Sequence, residues 1–142
     1  MKSYTDLEQS KKLAEILPIE SADMRYGYIA PYDYSDRMYD GGYDDVPYPK
    51  DFLKRNPNFS ENEYDGSLPC WSLASLLEQL DDEITDEDGN DYNLTIVKES
   101  LQYQLYYHDS WGRAEDIETD YYDDLVDACY EMIVKLKEKN LL

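Results

Sequence analysis

The stretch YNLTIVKESLQYQLYY, residues 92–107, decides the fold. Its two halves, 92–98 and 101–107, alternate polar with apolar side chains and are rich in β-branched and aromatic residues, which favour strands. A short break at Glu99-Ser100 separates them. This pattern predicts an antiparallel β-hairpin. The residues from Trp111 to about Ile117 predict a third, shorter strand after it.

A helix is predicted on each side of the hairpin. Before it, leucines recur at i, i+3, i+4 and i+7, which predicts a helix over 70–80 with Pro69 in its first turn. These leucines are Leu73, Leu76, Leu77 and Leu80. After the hairpin, an apolar stripe predicts a helix over about 121–139, with acids near its start and lysines near its end. The stripe consists of Leu125, Cys129, Met132, Ile133 and Leu136.

The N-terminal segment predicts one more helix, over 6–17. Thr5 and Glu8 have the spacing of a capping box, in which each side chain satisfies a backbone N–H at the helix start. Pro18 ends the apolar pattern because the residue before a proline avoids the helical conformation.

Between these helices lies a segment of different composition. Seven of the sixteen tyrosines fall within 25–49, interleaved with Asp, Gly and Pro, without helical spacing or alternation. We therefore predict an irregular aromatic and acidic arm over 25–67. The whole chain, 1–142, is predicted to be a single α+β domain: the N-terminal helix, the Tyr/Asp/Gly-rich arm, and a body over 68–142. That body has the order helix, antiparallel hairpin or three-stranded sheet, helix.

The charge indicates the class of partner. Thirty-three acidic residues against thirteen basic ones give a net charge of −20. Eight acids and no base lie within 68–91, and seven acids and no base within 115–127. A field of this sign repels nucleic acids and anionic membranes, so the sequence predicts a basic protein partner and no direct nucleic-acid or membrane binding. Two solvated acidic surfaces without a partner are the alternative interpretation.

Hydropathy and cysteine usage indicate the compartment. No apolar run approaches the roughly 20 residues of a membrane span. Only Cys70 and Cys129 are present, each within an apolar pattern, which favours two buried free thiols. We expect a cytoplasmic protein.

The stretch TDEDGNDYNL, residues 85–94, invites comparison with a calcium loop. Asp86, Asp88 and Asn90 match the first three ligand positions of an EF-hand. Asp91 stands where the loop needs glycine, and Val97 stands where it needs the bidentate glutamate. We interpret the stretch as an acidic turn, with weak cation binding at 86–91 as the alternative.

The inventory of catalytic groups is small. His108 is the one histidine in the sequence, and neither Ser110 nor Cys70 has a context that would activate it as a nucleophile. Two cysteines and one histidine are too few for a zinc site. We expect a protein that is not an enzyme and has no metal, cofactor or catalytic residue.

The partner-binding candidates are tyrosines and acids. Tyrosine offers a large contact area at low entropic cost, and neighbouring carboxylates select surfaces rich in Lys and Arg. The equal alternative is that several of these tyrosines pack on the domain. The candidates are Tyr28, Tyr32, Tyr34, Tyr39, Tyr43, Asp44, Asp45, Asp86 and Asp88.

Three segments together carry a family resemblance: KLAEILPIESADMRY (12–26), PCWSLASLLEQL (69–80) and DACYEMIVKLKEKNLL (127–142). In this order they resemble uncharacterised small acidic proteins encoded by prophages and mobile elements of gut Bacteroidales. The resemblance implies a source and an order of elements: helix, Tyr/Gly-rich insert, helix, hairpin, closing helix. It assigns no site residues.

These observations favour a non-enzymatic acidic interaction protein, phage- or mobile-element-encoded, that binds a basic protein. One alternative is a nucleic-acid mimic that inhibits a host defence or DNA-processing protein. A minor virion component is a further alternative.

Overall fold

The computed structural model describes residues 1–29, 32–34, 37–39, 41–51 and 67–142. The chain divides into two compact units. We call Asp6–Trp71 the insert unit, and Met1–Thr5 together with Ser72–Leu142 the hairpin unit. The single domain over 1–142 stays a prediction.

The insert unit consists of one α-helix, one short 3₁₀ turn and seven short strands among its described residues. In chain order they are α1 (Leu7–Ile16), the 3₁₀ turn (Ile19–Ser21), β1 (Met24–Tyr26), β2 (Tyr28–Ile29), β3 (Tyr32–Tyr34), β4 (Arg37–Tyr39), β5 (Gly42–Tyr43), β6 (Tyr48–Pro49) and β7 (Leu68–Cys70). The strands form an antiparallel sheet in the order β6-β1-β7 and two separate pairs, β2-β5 and β3-β4. Helix α1 packs against β7.

Helix α1 confirms the predicted helix over 6–17 to within a residue, but the predicted capping box was wrong. The box is formed by Asp6 and Gln9: the Asp6 carboxylate accepts from the Gln9 N–H at 2.8 Å, and Gln9 Oε1 accepts from the Asp6 N–H at 3.1 Å. Thr5 is fully buried, so the cap falls on the next residue, whose carboxylate stands at the surface. The helix ends before Pro18, as predicted.

The arm predicted as irregular contains six of these strands. They are two or three residues long, too short to leave a readable alternation in the sequence. The prediction of a helix entrance at Pro69 was also wrong. Leu68, Pro69 and Cys70 form β7, with all three residues buried and paired with β1. Trp71, also fully buried, donates its indole N–H to Ser21 Oγ at 2.9 Å.

The hairpin unit contains the elements that the sequence indicated most clearly. In chain order they are α2 (Leu73–Glu78), β8 (Glu83–Thr85), β9 (Asp91–Glu99), β10 (Gln102–Asp109), β11 (Ile117–Glu118) and α3 (Leu125–Glu138). The described strands form an antiparallel sheet in the order β11-β10-β9-β8, where the sequence predicted two or three strands. The additional strand, β8, lies between the predicted helix over 70–80 and the predicted hairpin, and only its middle residue, Ile84, is buried.

Strands β9 and β10 confirm the predicted hairpin. They pair over eight residues on each strand, from Glu99↔Gln102 to Tyr92↔Asp109. Ser100 and Leu101 make the turn, with φ of 50° and 67°. Positive φ at both central residues is the requirement of a type I′ turn, which is usually met by Asn-Gly.

One face of this sheet is covered by helix. Helix α3 packs against β10, and α2 packs against α3. Every helix and strand of the unit contributes to its buried apolar side chains, and β8 contributes only Ile84. These side chains include Leu76, Leu80, Leu105, Tyr107, Val126, Cys129, Met132, Ile133 and Leu136.

Helix α3 is shorter at its start than predicted, since Asp124 is its N-cap. Its end is a Schellman motif: the Asn140 N–H donates to the Lys137 carbonyl at 3.1 Å, and the Leu141 N–H to the Leu136 carbonyl at 2.8 Å. Asn140 has φ of 57°, which asparagine tolerates better than most residues. The motif sets the direction in which Lys139 and Leu141 leave the helix.

Both cysteines are free and buried, as predicted. Burial raises the pKa of the Cys129 thiol to about 12. Among the described residues, no helix is long and apolar enough to cross a membrane.

Candidate functional site

The predicted partner-binding tyrosines divide into two groups. Tyr28 and Tyr43 face each other across the β2-β5 pair, with ring centroids 5.2 Å apart and planes at 60°. Lys11 Nζ lies 5.9 Å from the centroid of the Tyr43 ring. These two rings contact groups of their own unit, and their role in binding a partner stays a prediction.

The other three tyrosines lie partly outside the described residues. The backbones of Tyr32, Tyr34 and Tyr39 belong to β3 and β4, with Tyr32 opposite Tyr39 and Tyr34 opposite Arg37. The side chains of Tyr32, Tyr34 and Tyr39 are not among those described, so their binding role stays a prediction.

Asp44 and Asp45 follow β5. The Asp44 N–H donates to the Gly27 carbonyl at 2.9 Å, and a Cβ at Gly27 would collide with Asp44 Oδ2 and with the Tyr48 hydroxyl. Glycine is thus needed at 27 for the close approach of these two side chains. Asp45 is exposed.

Asp86 organises the turn between β8 and β9. Its Oδ1 accepts from the Asp88 N–H at 3.0 Å and from the Asn90 N–H at 2.9 Å. Its Oδ2 accepts from Asn90 Nδ2 and from the Tyr92 hydroxyl, each at 3.0 Å. These bonds, led by that of the Asn90 side chain, lower the pKa of Asp86. Both oxygens are thus engaged in holding the turn, and Asp88 remains exposed beside it.

Asp109, which the sequence did not single out, organises the loop between β10 and β11. It is fully buried. Its Oδ1 accepts from the Trp111 N–H at 3.0 Å, and its Oδ2 from the Arg113 N–H at 2.7 Å and the Ala114 N–H at 2.9 Å. The backbone hydrogen bonds, led by that of Trp111, lower the pKa of Asp109 although burial opposes the shift.

The Asp86 turn and the end of the Asp109 loop line one acidic cleft. Its volume is about 470 Å³. Its apolar lining comes from Tyr92, Ile117 and Leu141, and its acids come from both loops. The acids are Asp86, Glu87, Asp88, Glu115 and Asp116, and Lys139 is the one base among the described residues that line the cleft.

His108 stands at the margin of this cleft. Its Nδ1 lies 2.6 Å from Asp116 Oδ1, and both side chains are substantially exposed. A Ser–His–Asp relay would need a serine hydroxyl on the other ring nitrogen. The Ser110 hydroxyl accepts from Asn93 Nδ2 at 2.6 Å. The other candidate nucleophile of the sequence, Cys70, is fully buried.

The acidic residues are distributed unequally between the units. The hairpin unit has nineteen acids against six bases, a net charge of −13, and the insert unit has fourteen against seven, a net charge of −7. The negative surface is therefore concentrated in the unit that also contains the cleft. Within the described residues, no group of three or more His, Cys, Asp or Glu side chains has the arrangement of a metal site.

No family model matches the chain, and neither a curated protein nor a solved structure matches it. The resemblance to prophage-encoded acidic proteins stays a prediction.

Sequence reasoning identified Asp86 and Asp88 but missed Asp109, Glu115 and Asp116. A signal for the missed loop was present: Asp109 is followed three residues later by Gly112, a spacing typical of side-chain-capped turns. Trp111 was predicted to begin the third strand. That strand, β11, begins at Ile117 instead, and Trp111 is 72% exposed in the loop before it.

Proposed function

We propose that this chain is a non-enzymatic interaction protein that binds a basic protein partner through the acidic surface of the hairpin unit. The supporting observation is the cleft lined by the Asp86 turn and the end of the Asp109 loop, where exposed carboxylates from two separate loops and the side chains of Tyr92, Ile117 and Leu141 line the same space. Such a surface offers charge for attraction and apolar area for contact.

The exposed acids of this cleft are available to a partner. Glu87, Asp88, Glu115 and Asp116 are all exposed, while Asp86 and Asp109 serve the loops themselves. A concentrated negative field raises the association rate of a positively charged partner, and salt weakens that effect. Binding should therefore depend strongly on ionic strength.

The test is affinity capture from nuclease-treated lysate, eluted with a salt gradient and read by mass spectrometry. The test variant combines Glu87→Gln, Asp88→Asn, Glu115→Gln and Asp116→Asn. The matched control removes the same charge from exposed positions of the insert unit: Glu8→Gln, Glu15→Gln, Glu20→Gln and Asp51→Asn. We expect the test variant to release the partner at clearly lower salt than the control does.

Three other results would change the proposal. Equal elution of both variants would mean that net charge alone, and not this surface, determines binding. Loss of capture in a Tyr28→Ser/Asp45→Asn variant, with the cleft variant unaffected, would move the interface to the insert unit. Displacement of the captured partner by excess duplex DNA would favour the nucleic-acid mimic.

A further inference from the structure

The loop at 110–116 displays a large aromatic side chain. Trp111 is 72% exposed, whereas the other tryptophan, Trp71, is fully buried. Tryptophan is highly buried on average in folded proteins, and it is enriched among the residues that dominate protein interfaces.

This exposure belongs to a well-organised loop. Three N–H groups of the loop donate to the buried Asp109 carboxylate, and the Gly112 N–H donates to the Asp109 carbonyl at 3.0 Å. Gly112 has φ of 66°, a conformation that glycine adopts without strain. The backbone that carries Trp111 is therefore fixed before any partner arrives, which lowers the entropic cost of binding.

The indole of Trp111 already has a cationic neighbour. The central carbon of the Arg113 guanidinium lies 5.7 Å from the centroid of the ring, within the range of a cation–π contact. The contact with Arg113 thus shows that a guanidinium can lie against the face of the Trp111 ring. Glu115 and Asp116 follow on the same loop, and both are exposed.

We propose that the loop 110–116 recognises an arginine of the basic partner. The incoming guanidinium stacks on the Trp111 ring in exchange with Arg113 and pairs with the carboxylate of Glu115, since Asp116 Oδ1 already lies 2.6 Å from His108 Nδ1. Arginine suits this surface better than lysine because its guanidinium is planar, weakly hydrated and able to pair with a carboxylate through two hydrogen bonds. The inference rests on the proposed function and names the residue type that the acidic surface selects.

The test compares two probes of equal charge, a nona-arginine and a nona-lysine peptide, by isothermal titration calorimetry at low and physiological salt. We expect the wild-type chain to bind nona-arginine more tightly. Trp111→Ala should weaken nona-arginine binding by roughly 2- to 30-fold, the range of a cation–π contact, and weaken nona-lysine binding less. Trp111→Phe, which keeps an aromatic face, should restore part of the affinity.

Two further variants sharpen the test. Tyr121→Ala removes another exposed aromatic side chain of the hairpin unit and should leave both affinities unchanged. Arg113→Gln removes the internal competitor, so it should tighten nona-arginine binding in the wild-type background more than in the Trp111→Ala background. Thermal unfolding of each variant verifies that the fold is retained.

The outcomes separate the two proposals. Binding of both peptides that is equal and insensitive to Trp111→Ala would overturn the arginine site and leave the acidic interaction surface standing. Absence of binding to either peptide at low salt would overturn the proposed function itself. Loss of binding in Trp111→Ala that is equal for the two peptides would mean that the ring contributes apolar contact and does not select arginine.

Discussion

At one end of the β9-β10 hairpin, Ser100 and Leu101 make the turn with positive φ although neither is glycine or asparagine. At the other end, the chain leaves β10 through a loop whose N–H groups converge on the buried Asp109. The first end carries backbone strain and an 81% exposed leucine. The second has its backbone groups satisfied and supports the candidate site. Local hydrogen bonding, not strand pairing, thus distinguishes the two ends.

The largest effect should come from Asp109→Ala. The change leaves three backbone N–H groups without their acceptor, so we expect Tm to fall by roughly 5–10 °C. Amide hydrogen exchange measured by NMR should show lost protection at Trp111, Arg113 and Ala114. Glu87→Ala, at an exposed acid, is the control and should shift Tm by less than about 2 °C. Unchanged protection at the three amides would mean that Asp109 does not organise the loop.

A substitution at the Ser100-Leu101 turn should stabilise the protein, in contrast to Asp109→Ala. Replacing Ser100-Leu101 by Asn-Gly gives the turn the residues that it favours and should raise the free energy of unfolding by about 1 kcal/mol. Glycine also gains entropy in the unfolded chain, which keeps the increase modest. The measurement is the urea midpoint at constant m-value. Leu101→Ala, which removes the exposed side chain but keeps the Cβ, should change stability by less than about 0.5 kcal/mol. A stabilisation by Leu101→Ala equal to that of the Asn-Gly variant would attribute the effect to the exposed leucine.

Asp86→Asn should have a smaller effect than Asp109→Ala. Asparagine keeps one acceptor oxygen but presents an NH₂ group to the donors Asn90 Nδ2 and the Tyr92 hydroxyl. Since this turn is partly solvated, water replaces part of the loss, and we expect Tm to fall by roughly 1–3 °C. Asp88→Asn is the matched control beside it. A fall in Tm as large as that of Asp109→Ala would mean that the buried Asp109 does not stabilise its loop more than the half-buried Asp86 stabilises its turn.

The smallest effect is a pH dependence. The pKa of Asp109 is lowered in the folded state, so its contribution to stability is present above its ordinary value of 3.8 and is lost as pH falls through the lower folded value. The difference in Tm between wild type and Asp109→Asn should therefore be constant from pH 7 to 5 and narrow below about pH 4. Thermal melts followed by circular dichroism measure this difference in Tm. Acidification also reduces the repulsion among the other carboxylates, but it does so in both proteins, so that effect cancels in the difference. A difference in Tm that has already disappeared above pH 5 would contradict the assignment of this pH dependence to Asp109.

The residues explain which parts of this fold were predictable. The β9-β10 hairpin and helix α3 have enough residues to show a full period of alternation or of helical spacing, so their sequence patterns were readable. Strands such as β5 and β8 have two or three residues, and their pairing depends on partners distant in the chain. Leu68, Pro69 and Cys70 fit a helix entrance by local rules, yet pairing with β1 made them a strand.

The candidate site was predictable only in part for the same reason. Asp86 was found because its turn resembles a ligand loop. Asp109 was not, because a carboxylate that serves the backbone looks like any other acid in a chain with thirty-three of them. Trp111 was predicted to begin the third strand, which instead begins at Ile117.

By itself the sequence determined the α+β class, the hairpin with its closing helix, the free thiols and the excess of negative charge, because each depends on local pattern or on composition. Only the tertiary structure decided which carboxylates hold loops and which face solvent, and which tryptophan is buried. That distinction depends on where each backbone N–H finds its acceptor. Such an acceptor is fixed by the approach of segments in space, and no local rule of sequence contains it.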